Sequence, residues 1–138
     1  MHSIYKITVD GVSYFGYTSR DPTKRLSEHL RMARRGWKHR SLLYPALRRS
    51  NYQYDFEVIG IYNNEFKALC KEIMLIRQYK KNLNLSPGGE GSTIKVSMTI
   101  QDGRMVFTQE PRKTINKGIK LRHKRRQRRG RKARRARR

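Results

Sequence analysis

Two residues, Asp10-Gly11, separate two runs rich in β-branched and aromatic side chains, Ser3 to Val9 and Val12 to Tyr17. A two-residue connection of this kind closes as a type I′ turn. That turn needs positive φ at both central positions, and Asp-Gly is suited to supply them. It also fixes the register: Val9 faces Val12, Ile7 faces Tyr14, and Tyr5 faces Gly16. Tyr5, Ile7, Tyr14 and Gly16 therefore share one face of the ribbon. Tyr5 and Tyr14 become diagonal neighbours, with backbones roughly 7–8 Å apart. Opposite Tyr5 stands a residue with no side chain, which leaves room for another group to approach the backbone.

Beyond the ribbon the pattern turns helical. Asp21-Pro22-Thr23 offers an N-cap and a first-turn proline, Leu26, Leu30 and Ala33 form an apolar stripe, and Gly36 suits the helix end. Arg25 and His29 lie one turn apart beside that stripe. A loop carrying Trp37, Lys38 and His39 leads to a shorter helix around Leu42 to Arg49, with Pro45 in or near its first turn. Tyr54 to Tyr62 alternates as a third strand. Glu65 to Lys80 has the strongest helical periodicity, through Phe66, Leu69, Cys70, Ile73, Ile76 and Tyr79. Glu72 falls at the margin of that apolar face, where partial desolvation raises a carboxyl pKa unless a cation compensates. On pattern alone, an edge glutamate paired with a surface Lys or Arg is the simpler reading. After the Ser86-Pro87-Gly88-Gly89-Glu90-Gly91 loop, a second Asp-Gly hairpin is expected over Ile94 to Gln101 and Arg104 to Gln109. Its register groups Val96, Met98, Ile100, Met105 and Phe107 on one face, which needs either the first module or nucleic acid as a partner.

The charge is segregated. Of 34 Lys/Arg and 10 Asp/Glu, residues 111–138 hold 16 basic and no acidic side chains. Such a segment buries too little apolar surface to fold alone, and it calls for a polyanion. Nucleic acid is favoured, because each neutralised phosphate releases a condensed counterion. A membrane surface is disfavoured, since the tail has only Ile115, Ile119 and Leu121 to insert. The single cysteine, Cys70, excludes an intramolecular disulfide and a cysteine-built zinc site, and reads as a small buried hydrophobe. With neither a signal-peptide pattern at the start nor an apolar run of membrane-spanning length, the expected compartment is the cytoplasm, or the nucleus in a eukaryote.

Five short elements in order resemble the GIY-YIG nuclease family over about residues 3 to 91. Ser3-Ile4-Tyr5 stands for Gly-Ile-Tyr and Tyr14-Phe15-Gly16 for Tyr-Ile-Gly. Lys24-Arg25-Leu26-Ser27-Glu28-His29 resembles the helix with Arg and His one turn apart. Glu72 takes the lone glutamate position of the long helix, and Asn84-Leu85-Ser86-Pro87-Gly88-Gly89 resembles the terminal loop. Ser3 and Phe15 depart from the family pattern at positions not expected to do chemistry. The resemblance implies an α+β fold, a small three-stranded antiparallel sheet flanked by helices. Here it would carry an extra β-hairpin and a basic C-terminal tail. The expected division is a nuclease module over 1–92, a hairpin extension over 93–110 and a nucleic-acid-binding tail over 111–138.

The resemblance also implies metal-dependent hydrolysis of a phosphodiester. Glu72 would be the direct ligand of one Mg²⁺ or Mn²⁺, a hard ion whose shell water and phosphate oxygens complete. Arg25 offers a planar fork to phosphate oxygens. Tyr5 is the implied base for the attacking water, although for a phenol of pKa ~10 Arg25, a lysine or the metal-bound solvent network would have to lower that value. Tyr14 and His29 would orient water, bind phosphate or relay protons. Gly16 would let the scissile backbone come close, Asn84 would anchor the last loop, and His39 resembles a further functional histidine of some homing members. Lys24, Lys113, Lys117, Arg122, Lys124, Arg125, Arg126, Arg128, Arg129, Arg131 and Lys132 are the expected nucleic-acid contacts. Double-stranded DNA is the favoured partner and RNA the second, with the oligomeric state open.

Each residue has an ordinary alternative: tyrosines as packing groups, His29 as a structural histidine, Arg25 as one of many surface cations. Two functions from different classes follow. One is a free-standing homing-type DNA endonuclease; the other is a non-catalytic DNA- or RNA-binding protein that keeps the module as a scaffold.

Overall fold

A computed structural model of the chain describes residues 1–36 and 42–112. Strands β1 (His2–Val9) and β2 (Val12–Thr18) pair antiparallel in the register the turn dictates, with Tyr5 opposite Gly16 and Ile7 opposite Tyr14. Asp10 and Gly11 have φ of 50° and 76°, as a type I′ turn requires. Strand β3 (Asp55–Tyr62) joins the other side of β1, giving the sheet order β2-β1-β3. Its register shifts between Ile4, opposite Gly60, and Tyr5, opposite Val58, so Ile59 is an extra residue. A bulge of this kind bends the ladder and re-aims nearby side chains, here beside Tyr5.

Helices cover both faces of the sheet. On one face, α1 (Pro22–Arg34) and α2 (Leu43–Arg49) pack Ala33, Leu43, Tyr44 and Leu47 against Tyr5, Ile7 and Val9. Asp21 caps α1 by accepting from the Thr23 N–H at 2.9 Å, and Pro45 sits in the first turn of α2. On the other face, α3 (Glu65–Gln78) sets Ala68 and Leu75 against Ile4 and Phe15. Asn64 caps it, accepting from the Lys67 N–H at 3.2 Å. The helix stops at Gln78 rather than Lys80, where Tyr79 turns to extended backbone. No helix among the described residues is long and apolar enough to cross a membrane.

The outer edge of β2 is closed by the chain following α3. The Leu83 N–H donates to the Ser13 carbonyl at 2.8 Å. The Asn84 side chain accepts from the Phe15 N–H at 2.9 Å and donates to the Phe15 carbonyl at 2.7 Å. One amide side chain thus offers the donor and acceptor that a neighbouring strand would supply. The sequence assigned Asn84 an anchoring place, and these contacts supply its geometry.

The second hairpin forms from β4 (Ile94–Gln101) and β5 (Arg104–Pro111), two residues longer than the pattern indicated. Asp102 and Gly103 repeat the turn with φ of 50° and 72°. Its apolar face divides. Ile94, Val96, Met98 and Phe107 pack on Leu69 and Ile73 of α3, whereas Ile100 and Met105 at the far end stay exposed. Cys70 lies against this same cluster, half-buried. Val96 is the buried contact point, so Val96→Ala should lower stability by about 2 kcal/mol. Denaturant unfolding followed by tryptophan and far-UV signals checks this; an unchanged midpoint would mean that the hairpin contributes nothing to the fold.

Candidate active site

At the edge of β2 a cleft of about 230 Å³ is lined by Tyr5, Tyr14, Gly16, Arg25, Glu72 and Asn84, with Ser86 and Glu90 on its loop side. Tyr5, Tyr14 and Arg25 belong to the side packed by α1 and α2. Glu72 belongs to the helix on the opposite face. They meet around an edge strand, and a position without a side chain, Gly16, lies where they meet.

Tyr5 occupies the space that Gly16 leaves. A Cβ at position 16 would stand 2.3 Å from both Cζ and Oη of Tyr5. The tyrosine ring thus takes the Cβ side of Gly16, while Gly16 itself still lines the cleft. Tyr5 and Tyr14 are the diagonal pair that the register required, with ring centroids 6.4 Å apart. Tyr5 Oη lies 2.7 Å from His29 Nε2, and His29 Nδ1 lies 3.0 Å from the hydroxyl of Tyr44 on α2. The Tyr14 ring meets the His29 edge at 5.5 Å. His29, 2 % exposed, is a core residue rather than a rim residue.

Burial sets the protonation of this group. It pushes the Tyr5 phenol well above its ordinary range, Tyr14 adds to the rise, and the Arg25 charge opposes it without prevailing. Tyr14 is pushed up to about 12, mainly by burial and then by Glu72. Of the groups that would have to lower the Tyr5 value for it to act as a base, Arg25 does lower it, but desolvation outweighs that charge. His29 is driven down to about 3 by burial and then by Arg25, so its imidazole is neutral.

Arg25 reaches the cleft from α1, and its Nη1 donates to Glu28 at 2.8 Å. Glu28 also holds Arg20, at 3.0 Å, so one carboxylate bridges two guanidinium groups. Partly exposed ion pairs of this type stabilise little. Their consequence here is orientation, since one edge of the Arg25 fork is tied back to Glu28 while the guanidinium interacts with the Tyr5 hydroxyl and lines the cleft. Lys24, its neighbour on α1, is exposed.

Glu72 is 7 % exposed. None of the ion pairs among the described residues includes it, which corrects the simpler sequence reading of a surface-paired carboxylate. Its Oε1 accepts instead from the Gly89 N–H at 3.1 Å. Gly88 and Gly89, at φ of 87° and 89°, bring the loop backbone onto the carboxylate, and a Cβ on Gly88 would come within 2.6 Å of Oε1. Burial raises the Glu72 pKa to about 7, with the Gly89 N–H opposing and the Glu90 charge reinforcing the rise. No group of three or more His, Cys, Asp or Glu able to hold a metal exists among the described residues. A single desolvated carboxylate in a water-accessible cleft suits a hard divalent ion that keeps most of its water.

The GIY-YIG catalytic domain family model matches residues 1–84, more than half of the chain. The chain belongs to the GIY-YIG family. It is accordingly a nuclease-family protein, with nucleic acid as the general substrate class; nucleases of this family generally depend on a divalent metal. Searches of curated proteins and of solved structures return no match. The fold agrees with the family: the three-stranded sheet, its flanking helices and the additional hairpin are all present.

GIY-YIG motifs in the sequence named Tyr5, Tyr14, Gly16, Arg25, Glu72 and Asn84, and the structure brings them to one cleft. His29 lies one layer behind, in contact with Tyr5. His39 and the tail cations from Lys113 onward lie outside the described residues. Sequence reasoning missed Tyr44, Glu28 as the tether of Arg25, and Glu90. Glu28 was in reach, being three residues from Arg25 on one helix face. Tyr44 and Glu90 had no such signal, because each meets its partner through tertiary packing alone.

Two outcomes follow. Gly16→Ala forces the Tyr5 ring off its site; it should cost about 2 kcal/mol and break the Tyr5–His29 contact. Thermal unfolding and the Tyr5 and His29 NMR signals check this, and wild-type values for both would refute it. The pH dependence comes from Glu72, whose folded pKa of about 7 exceeds its ordinary 4.5. The native state therefore prefers the protonated acid. The stability this lends is present below pH 4.5 and is lost as pH rises through about 7, about 3 kcal/mol in full. With metal chelated, Glu72→Gln should match the wild type near pH 4.5 and exceed it at pH 8 in thermal unfolding.

Proposed function

We propose that the protein is a metal-dependent endonuclease that hydrolyses phosphodiester bonds in double-stranded DNA, as a free-standing homing-type enzyme. One observation carries the reading: two tyrosines, a guanidinium and a desolvated carboxylate reach one cleft from opposite faces of the sheet. The matched module has no inserted domain, and a strongly basic segment follows it. That segment starts beside the cleft loop. Arg112 donates to the Gly91 carbonyl at 2.6 Å, and the fifteen Lys/Arg that follow it in the sequence supply a salt-sensitive, sequence-independent attraction for phosphates.

In this reading Glu72 holds one Mg²⁺ or Mn²⁺, which supplies charge neutralisation at the phosphate. Raised to about 7 by burial, the carboxylate would ionise fully with a cation beside it. The free edge of the Arg25 fork binds a nonbridging phosphate oxygen and stabilises the charge that grows there. Tyr5 and Tyr14 stay neutral at physiological pH. They hold the attacking water by hydrogen bonds, and Tyr5 takes its proton as the phenol's own proton passes to Nε2 of His29. Gly16 serves by admitting Tyr5, and Asn84 by fixing the β2 edge on which both tyrosines stand. Lys24 and the tail cations contact the DNA backbone.

The test is cleavage of supercoiled and linear duplex DNA with Mg²⁺ or Mn²⁺ and with chelator. Glu72→Ala should lower the rate at least about a hundredfold while leaving DNA binding, measured by fluorescence anisotropy, within a few-fold. Binding without cleavage in every divalent metal at low salt would overturn the reading in favour of a non-catalytic binder. Cleavage confined to RNA would overturn the choice of substrate.

A further inference from the structure

Behind the cleft, four side chains form a line: Tyr5, His29, Tyr44 and Met32. Tyr5 Oη is 2.7 Å from His29 Nε2, His29 Nδ1 is 3.0 Å from Tyr44 Oη, and the Tyr44 hydroxyl donates to Met32 Sδ at 3.2 Å. His29 is 2 % and Tyr44 4 % exposed, and no buried side-chain polar atom among the described residues lacks a partner. In such a line, which meets Arg25 and Tyr14 at its Tyr5 end, the proton positions are not independent.

A neutral imidazole has one N–H and one lone pair, so one ring nitrogen donates and the other accepts. A hydroxyl has one proton. If the Tyr44 proton points to the Met32 thioether, which can only accept, the Tyr44 oxygen must accept from His29 Nδ1–H. Nε2 then bears the lone pair, and the Tyr5 hydroxyl proton points at it. The reverse line would have Tyr44 donate to Nδ1 and Nε2–H donate to Tyr5. It leaves the sulfur without a donor and turns the Tyr5 proton outward. The Arg25 charge decides between them. It acts on the Tyr5 oxygen from the cleft side, favouring a phenol whose lone pairs face the guanidinium and whose proton points away.

We infer that Tyr44 is a positioning residue: it fixes His29 as the Nδ1–H tautomer, which turns the Tyr5 proton inward and leaves the Tyr5 lone pairs facing the cleft. Resting on the nuclease reading, this gives Tyr5 its use. A phenol with its proton committed to His29 is an acceptor toward the cleft, ready for an O–H of the attacking water. With the other tautomer Tyr5 would present a proton to that water and hold it in the wrong orientation. The effect reaches the cleft through two hydrogen bonds, from a helix that does not line it.

The test uses the full chain with ¹⁵N-labelled histidine and long-range ¹H–¹⁵N correlation spectra. His29 is one of four histidines, recognised by loss of its signals in His29→Gln and by the absence of titration between about pH 5 and pH 8. A pyrrole-type Nδ1 and a pyridine-type Nε2 in the wild type are the expected result. The opposite assignment overturns the inference. Tyr44→Phe keeps the ring and removes the acceptor of Nδ1–H. It should shift His29 toward the Nε2–H form and lower kcat about tenfold, with KM for DNA within about twofold. An unchanged tautomer and unchanged kcat in Tyr44→Phe also overturn it. Should that variant not fold, the wild-type spectrum still decides the tautomer. Absence of cleavage by the wild type would count against the nuclease reading alone, since the spectrum is read without substrate; cleavage with the reversed tautomer would defeat this inference alone.

Discussion

The Tyr5 ring lies across the backbone of Gly16, in volume that no other residue type would leave free. Much of the site depends on that one contact. It carries the phenol across the neighbouring strand to the sheet's edge, where it can touch His29 and also face the cleft. The contact requires the Tyr5–Gly16 pairing, which in turn requires the two-residue turn at Asp10-Gly11. A one-residue slip would put Tyr5 beside a side chain and send Tyr14 to the wrong face. Local turn chemistry and the placement of a reactive group are thus the same constraint at two scales.

Electrostatics in the site follow from the burial of its titratable side chains. The Tyr5 phenol is raised, the His29 imidazole lowered and the Glu72 carboxyl raised, each with burial as the first cause. All three are therefore held in their neutral forms more strongly than in water, beside a permanently charged Arg25. Such a cleft is selective toward what enters it. A cation stabilises ionised Glu72, and an anionic phosphate meets Arg25. Either one would change the protonation balance that burial sets. The glycine pair at 88 and 89 places a backbone N–H rather than a cation on Glu72, which in the proposed reading leaves the carboxylate for a metal.

The second hairpin supports the same loop from behind. Val96 donates its N–H to the Gly89 carbonyl at 2.7 Å, and the Gly91 carbonyl receives Arg112 at the end of β5. The Gly-rich loop is therefore held between Glu72 on one side and the hairpin base on the other. The hairpin is as much a brace for the acidic wall of the cleft as a surface element. Its apolar face, which on pattern alone needed one partner, divides between α3 and solvent because the strands outrun the helix they pack on.

The sequence alone determined both hairpins, their registers, three helices within a residue or two, and the identity of most groups in the cleft. These are set by short-range rules: turn residues that tolerate positive φ, alternation along strands, spacing along helices, and motif residues in fixed order. Tertiary structure decided the rest. That Glu72 comes round the β2 edge to meet tyrosines packed on the opposite sheet face depends on how α3 is tilted against Phe15 and on the loop that Asn84 pins there. That His29 is buried and bonded to Tyr44 depends on α2 docking on α1, fifteen residues away along the chain. Periodicity could not show that the Tyr5 ring takes the Cβ side of Gly16, nor that Glu72 takes a backbone N–H rather than a cation. Both are outcomes of three-dimensional packing, in which excluded volume and lost hydration are fixed only when distant segments come together.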